Sequence, residues 1–138
     1  MAIINMQTMR YINILDKVTN VKTSKCFIYN DTIFFAVPKQ MVSKAIGPSA
    51  LNVKKIQNGL GKKIRIIGEA EGVNEAERFI SNIVAPVSFK NIEVKDGFLI
   101  INAGNVHNKA SLMGRNKIRL DELGQIVKDT FGFELRIV

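Results

Sequence analysis

With 138 residues, 46% of them hydrophobic, and a formal net charge of +8, the chain fits one ordinary folded domain or two small ones, not a disordered basic tail. No apolar run approaches the roughly 20 residues that cross a bilayer, and the opening MAIINMQTMRYINIL lacks a charged leader, apolar block and cleavage site. Cys26 stands alone, so no disulfide framework or thiol-metal cluster is expected; the exclusions point to a cytoplasmic protein with no membrane partner, metal or cofactor.

Tyr11, Ile14, Leu15 and Val18 recur at helical spacing and predict a helix near residues 6–19. KCFIY and TIFFAV, rich in aromatic and β-branched residues, read as strands joined by a tight turn at Asn30-Asp31. Pro38 closes the second strand and can open the helix KQMVSKAI at its first turn. Beyond Gly47-Pro48-Ser49-Ala50 a further helix carries Val53, Ile56 and Leu60, Gly61 stops it, and KKIRII forms a strand.

The second half repeats that order. Asn74 with Glu77 three residues on resembles a capping box ahead of a helix bearing Ala76, Phe79, Ile80, Ile83 and Val84, which Pro86 halts. NIEV and FLII flank Lys95-Asp96-Gly97, a strong hairpin signal. A short helix reaches Met113-Gly114, and Leu120, Leu123, Val127 and Phe131 mark the next, ended by Gly132 before the strand FELRIV. Gly124 inside that helix costs about 1 kcal/mol relative to alanine. Both halves therefore read helix, strand, strand, helix, helix, strand, with domains expected at residues 1–69 and 70–138.

Charge is distributed unevenly between them. Residues 1–70 hold 11 Lys/Arg and 3 Asp/Glu (11 − 3 = +8), whereas residues 71–138 hold 9 of each (9 − 9 = 0). Such asymmetry fits a nucleic-acid face on the first half as well as plain solubility.

Each half has a glycine elbow between two helical arms, at Gly47 and Gly114 (114 − 47 = 67). A helix start presents unpaired backbone N–H groups and the positive end of a dipole. A preceding glycine admits another backbone at close range, so a sugar-phosphate chain is the expected occupant. A corner that merely ends one helix and turns the chain is the plainer reading of either elbow alone; the repetition favours the functional one.

The segments AIGPSALNVKKIQNGLGKKIRII and LMGRNKIRLDELGQIVKDTFGFELRIV carry a family resemblance. Over residues 8–138 the chain resembles a pair of type II KH (K homology) RNA-binding domains, as in the archaeal NusA-like transcription factors, whose domains hold Ile-Gly-x-x-Gly between two central helices. The resemblance implies an α+β fold with a three-stranded mixed sheet packed by helices in each domain. It implies a single-stranded RNA-binding factor in transcription termination or antitermination, with RNA polymerase a further partner. The backbone of about four nucleotides would lie on each loop. By that likeness the RNA-binding residues are Lys44, Gly47, Pro48, Ser49, Ala50, Lys54 and Lys55 in the first domain. In the second they are Lys109, Gly114, Arg115, Asn116, Lys117 and Arg119. Val42, Ile46, Leu112 and Met113 are the candidate groove floor, though ordinary core is the more economical reading of those four, since the helical stripe must be buried regardless.

Both loops depart from the family pattern. Ala50 and Lys117 stand where the final glycine belongs, and Pro48 supplies no N–H. Ser49 is expected to compensate by capping the next helix or by offering its hydroxyl to phosphate. No catalytic role is expected: His107 is the only histidine and stands among asparagines, and neither a carboxylate pair nor a phosphate-loop motif is present. The rival classes are a degenerate KH scaffold for protein contacts and a ribosome- or rRNA-associated KH protein.

Overall fold

The computed structural model describes residues 6–23 and 25–138; residues 1–5, where the leader reading and the first domain begin, lie outside the described residues. The chain forms two compact units, residues 6–69 and 70–138. Each contains three helices and a three-stranded mixed sheet, an α+β architecture.

In the first unit helix α1 (Met6–Thr19) leads to β1 (Lys25–Tyr29) and β2 (Thr32–Val37). The turn between them places Asn30 at φ 49° and Asp31 at φ 62°, the left-handed conformation that asparagine and aspartate tolerate. Strand β3 (Lys63–Gly68) pairs in parallel with β2, so the sheet order is β1-β2-β3. Parallel neighbours need a crossover, here α2 (Val42–Ile46) and α3 (Leu51–Leu60).

Register explains the core. Cys26 faces Phe35, Ile33 faces Ile64 and Phe35 faces Ile66. With period-2 alternation these side chains share one face of the sheet, where they pack with Tyr11 and Leu15 of α1, Ala45 of α2 and Ile56 of α3. Burial pushes the Cys26 thiol up to about 12, so this cysteine is an inert core residue. On the opposite face Phe34 stacks on Phe27 at 5.4 Å, meets Tyr29 edge-on, and lies 5.6 Å from the Arg65 guanidinium.

The second unit repeats the plan with α4 (Ala76–Val84), β4 (Asn91–Lys95), β5 (Phe98–Asn102), α5 (Val106–Met113), α6 (Ile118–Phe131) and β6 (Glu134–Ile137). The order is β4-β5-β6, antiparallel then parallel. Asp96 and Gly97 form the two-residue turn, both with positive φ. Phe79, Ile80, Leu99, Ile101, Leu112, Leu123 and Val127 are buried, and Phe79 meets Phe131 edge-on at 5.8 Å.

The expected capping box does not form. A 3-10 turn over Val73–Glu75 precedes α4, so Glu75 flanks the helix. Its carboxylate accepts from the Glu71 amide at 2.8 Å instead. The segment KQMVSKAI likewise splits into a 3-10 turn, Lys39–Met41, and α2. Among the described residues no helix is long and apolar enough to cross a membrane.

Candidate nucleic-acid interface: two matched glycine turns

The two elbows sit within the helical crossovers that join the parallel strands, α2 to α3 and α5 to α6. Their backbones repeat one another. Gly47 lies at φ 79°, ψ 167° and Gly114 at 73°, 174°. Two residues on, Ser49 (53°, 33°) and Asn116 (56°, 27°) are left-handed. So are Ala50 (58°, 31°) and Lys117 (60°, 24°), which flank the following helices. Unrelated side chains thus adopt one turn in both units.

The glycine requirement differs in kind from the expected one. Only glycine readily occupies φ near 75° with ψ near 170°. A Cβ built on Gly47 would lie 2.9 Å from Asn52 Nδ2 and 3.2 Å from the Asn52 backbone nitrogen. On Gly114 it would lie 2.7 Å from Arg119 Cγ and 3.1 Å from the Arg119 backbone nitrogen. Each glycine thus permits a close approach of the chain's own next helix.

The helix mouths are also less open than expected. The Ala50 amide donates to the Gly47 carbonyl at 3.1 Å and the Lys117 amide to the Gly114 carbonyl at 3.2 Å. The Leu51 and Ile118 amides donate to the Pro48 and Arg115 carbonyls. Ser49 does not cap α3, and no side chain caps α6. The flanking positions are taken by left-handed Ala50 and Lys117, neither of which has a short side-chain acceptor for a helix amide.

What the turns present to solvent is charge and a projecting tip. Pro48 and Ser49 are exposed, Gly47 and Ala50 half-buried, and Lys44, Lys54 and Lys55 exposed beside them. In the second unit Lys109, Arg115, Asn116 and Lys117 are exposed, while Gly114 and Arg119 are half-buried. The ion pairs seen among the described residues (Lys25 with Glu69, Arg78 with Glu75, Lys128 with Glu134) involve none of these cations. His107 is exposed in the first turn of α5, where Asn105 provides the cap by accepting from the Asn108 amide at 2.7 Å. Among the described residues no cluster of three or more His, Cys, Asp or Glu is placed to hold a metal.

Of the candidate groove-floor residues, Leu112 is 0% exposed and packs in the core in this structure. Val42 and Ile46 are half-buried and packed against the first core, and Met113 is half-buried. The stripe that faces the sheet must be buried first, leaving only its margins to solvent.

Left-handed Lys117 carries strain of about 1–2 kcal/mol that glycine would not. Lys117→Gly is therefore expected to raise stability by about 1 kcal/mol, read as a higher urea midpoint with unchanged slope, despite removing a cation from the turn.

Comparison with solved proteins gives the architecture a precedent. The crystal structure of APE1850 matches 98% of this chain and 100% of its own at a TM-score of 0.67, with 22% identity. No family model matches the chain. Three archaeal proteins, each named "Probable transcription termination protein NusA", are similar in sequence. That of Methanocaldococcus jannaschii is 33% identical over 84 residues, 61% of this chain and 44% of its own length. The Halococcus morrhuae protein is 27% identical over 88 residues, 64% of this chain and 61% of its own. The Methanococcus vannielii protein is 29% identical over 92 residues, 67% of this chain and 51% of its own. The chain thus spans about half the length of the curated relatives it matches. In sequence the chain is similar to these three proteins over about two thirds of its own length.

Proposed function

We propose that each unit is a type II KH domain, with residues 1–69 and 70–138 as the two domains. The pair binds single-stranded RNA as a cytoplasmic factor in transcription termination or antitermination, with RNA polymerase as a further partner. The observation that carries this reading is the repetition of one strained, solvent-facing turn, flanked by exposed cations, in the crossover of both units. Left-handed backbone at non-glycine residues costs free energy, and its recurrence on different side chains marks a shape that is needed. The names of the archaeal relatives supply the setting in transcription.

Pro48 and the inward-turned amides reduce what the backbone can offer to phosphate, so electrostatic contact is the main term. Lys44, Lys54 and Lys55 supply it in the first domain, and Lys109, Arg115 and Lys117 in the second. Asn116 and Ser49 can donate side-chain hydrogen bonds to phosphate oxygens. Val42, Ile46 and Met113 form the half-buried margin against which bases lie.

Filter binding of a short single-stranded RNA across a salt series tests the reading. Lys54→Ala and Lys117→Ala are each expected to weaken binding and to lower the slope of log K against log salt by about 0.7–1, the release of one counterion. Binding no better than to a neutral polymer at low salt would replace this reading with that of a KH scaffold for protein partners.

A further inference from the structure

The fifth residue after each glycine does the same thing in both units. Asn52 Nδ2 donates to the Lys44 carbonyl at 3.2 Å, across the turn from α3 back to the end of α2. Arg119 Nη1 donates to the Ser111 carbonyl at 3.2 Å, from α6 back to the end of α5. In each case the acceptor lies three residues before the glycine and the donor five residues after it (47 − 44 = 3 and 52 − 47 = 5; 114 − 111 = 3 and 119 − 114 = 5). These are also the residues whose atoms fill the space beside the glycine Cα. One side chain therefore both occupies the space a Cβ would need and ties off a carbonyl that the ending helix leaves without an intrahelical partner.

We propose that Asn52 and Arg119 are positioning residues, each a clamp that locks its glycine turn in the shape that receives RNA; the inference rests on the RNA-binding reading above. Asparagine and arginine share little except an N–H donor able to span the turn. Their common use indicates that the hydrogen bond, not the charge, is what the position requires. Arg119 was expected to meet phosphate. In this structure its guanidinium donates to a carbonyl at the negative end of α5, where a cation is favoured. The clamp holds φ and ψ at two left-handed residues that would otherwise relax toward the right-handed region.

The 138-residue chain tests this with amide exchange in the free protein and RNA binding across a salt series. Arg119→Ala should speed exchange of the Gly114 and Lys117 amides about tenfold, whereas Arg119→Asn, which borrows the donor of the first unit, should stay within about threefold of wild type. Asn52→Ala and Asn52→Arg form the matching pair for the Gly47 and Ala50 amides. For a short single-stranded RNA, Arg119→Ala should weaken binding several-fold at an unchanged salt slope, while Arg115→Ala lowers the slope by about one. A slope loss of about one for Arg119→Ala would overturn the proposal by making Arg119 a phosphate contact. Unchanged exchange in both alanine variants would overturn it as well. If the wild-type chain bound no RNA, the RNA reading would fall with the role assigned to the clamp, while the exchange rates would still report whether the clamp itself exists.

Discussion

Gly114→Ala is expected to destabilise the second unit by roughly 2–4 kcal/mol, more than a glycine substitution usually costs. Two separate penalties act there. The backbone at φ 73°, ψ 174° lies in a region that is essentially reserved for glycine, and holding another residue in it costs about 1–3 kcal/mol. The added methyl would also overlap Arg119 Cγ at 2.7 Å and the Arg119 backbone nitrogen at 3.1 Å. The side chain can swing away, but the nitrogen is fixed by α6. Relief of the first clash alone would break the bond to Ser111. Gly132→Ala provides the internal control. Gly132 is also left-handed, at φ 79°, ψ 15°, yet a Cβ there meets nothing within 4 Å, so only the conformational cost of about 1 kcal/mol applies. Urea denaturation of both variants separates the two penalties. Equal losses would mean that Gly114 serves only as a helix stop, and the packed turn would lose its main support.

That comparison also shows what the sequence could and could not disclose. Strand limits were legible because KCFIY and TIFFAV are bounded by two residues, Asn30 and Asp31, whose chemistry permits positive φ. The same holds at Asp96-Gly97. The existence of two elbows was equally plain from Gly47 and Gly114. What lay beyond reach was conformation that no local propensity favours. Asn116 tolerates positive φ, but nothing in Ser49, Ala50 or Lys117 announces it, and without two successive left-handed residues the fifth residue after the glycine has no reason to fold back. The shared offset of Asn52 and Arg119 was available as a signal, but dissimilar side chains concealed it. The Asn74–Glu77 reading failed for a related reason: a 3-10 turn moved the start of α4, and a cap is only as good as its register. Gly124 survives in α6 with its Cα side facing Leu135, where a Cβ would stand 4.0 Å away. The helix is held by the buried stripe of Leu123, Ile126 and Val127 and tolerates the weaker propensity.

Leu112 bears on where an RNA base can rest. It is completely buried, so Leu112→Ala is expected to lose about 2–5 kcal/mol, the sum of lost transfer free energy and the cavity left behind. Ile46 stands next to Gly47 as Met113 stands next to Gly114, and both are half-buried. Ile46→Ala therefore removes fewer buried atoms and should cost about 1–2 kcal/mol, below the range for a fully buried side chain. The two substitutions should also separate in binding. Measured at a temperature where the variant remains folded, Leu112→Ala should keep its affinity for single-stranded RNA, since that side chain is closed off in the free protein. Ile46→Ala should weaken binding at an unchanged salt slope, because it removes apolar contact and no charge. A Leu112→Ala variant that is barely destabilised yet binds poorly would return Leu112 to the groove. It would also mean that α5 shifts outward when RNA arrives, opening a surface that is closed in the free protein.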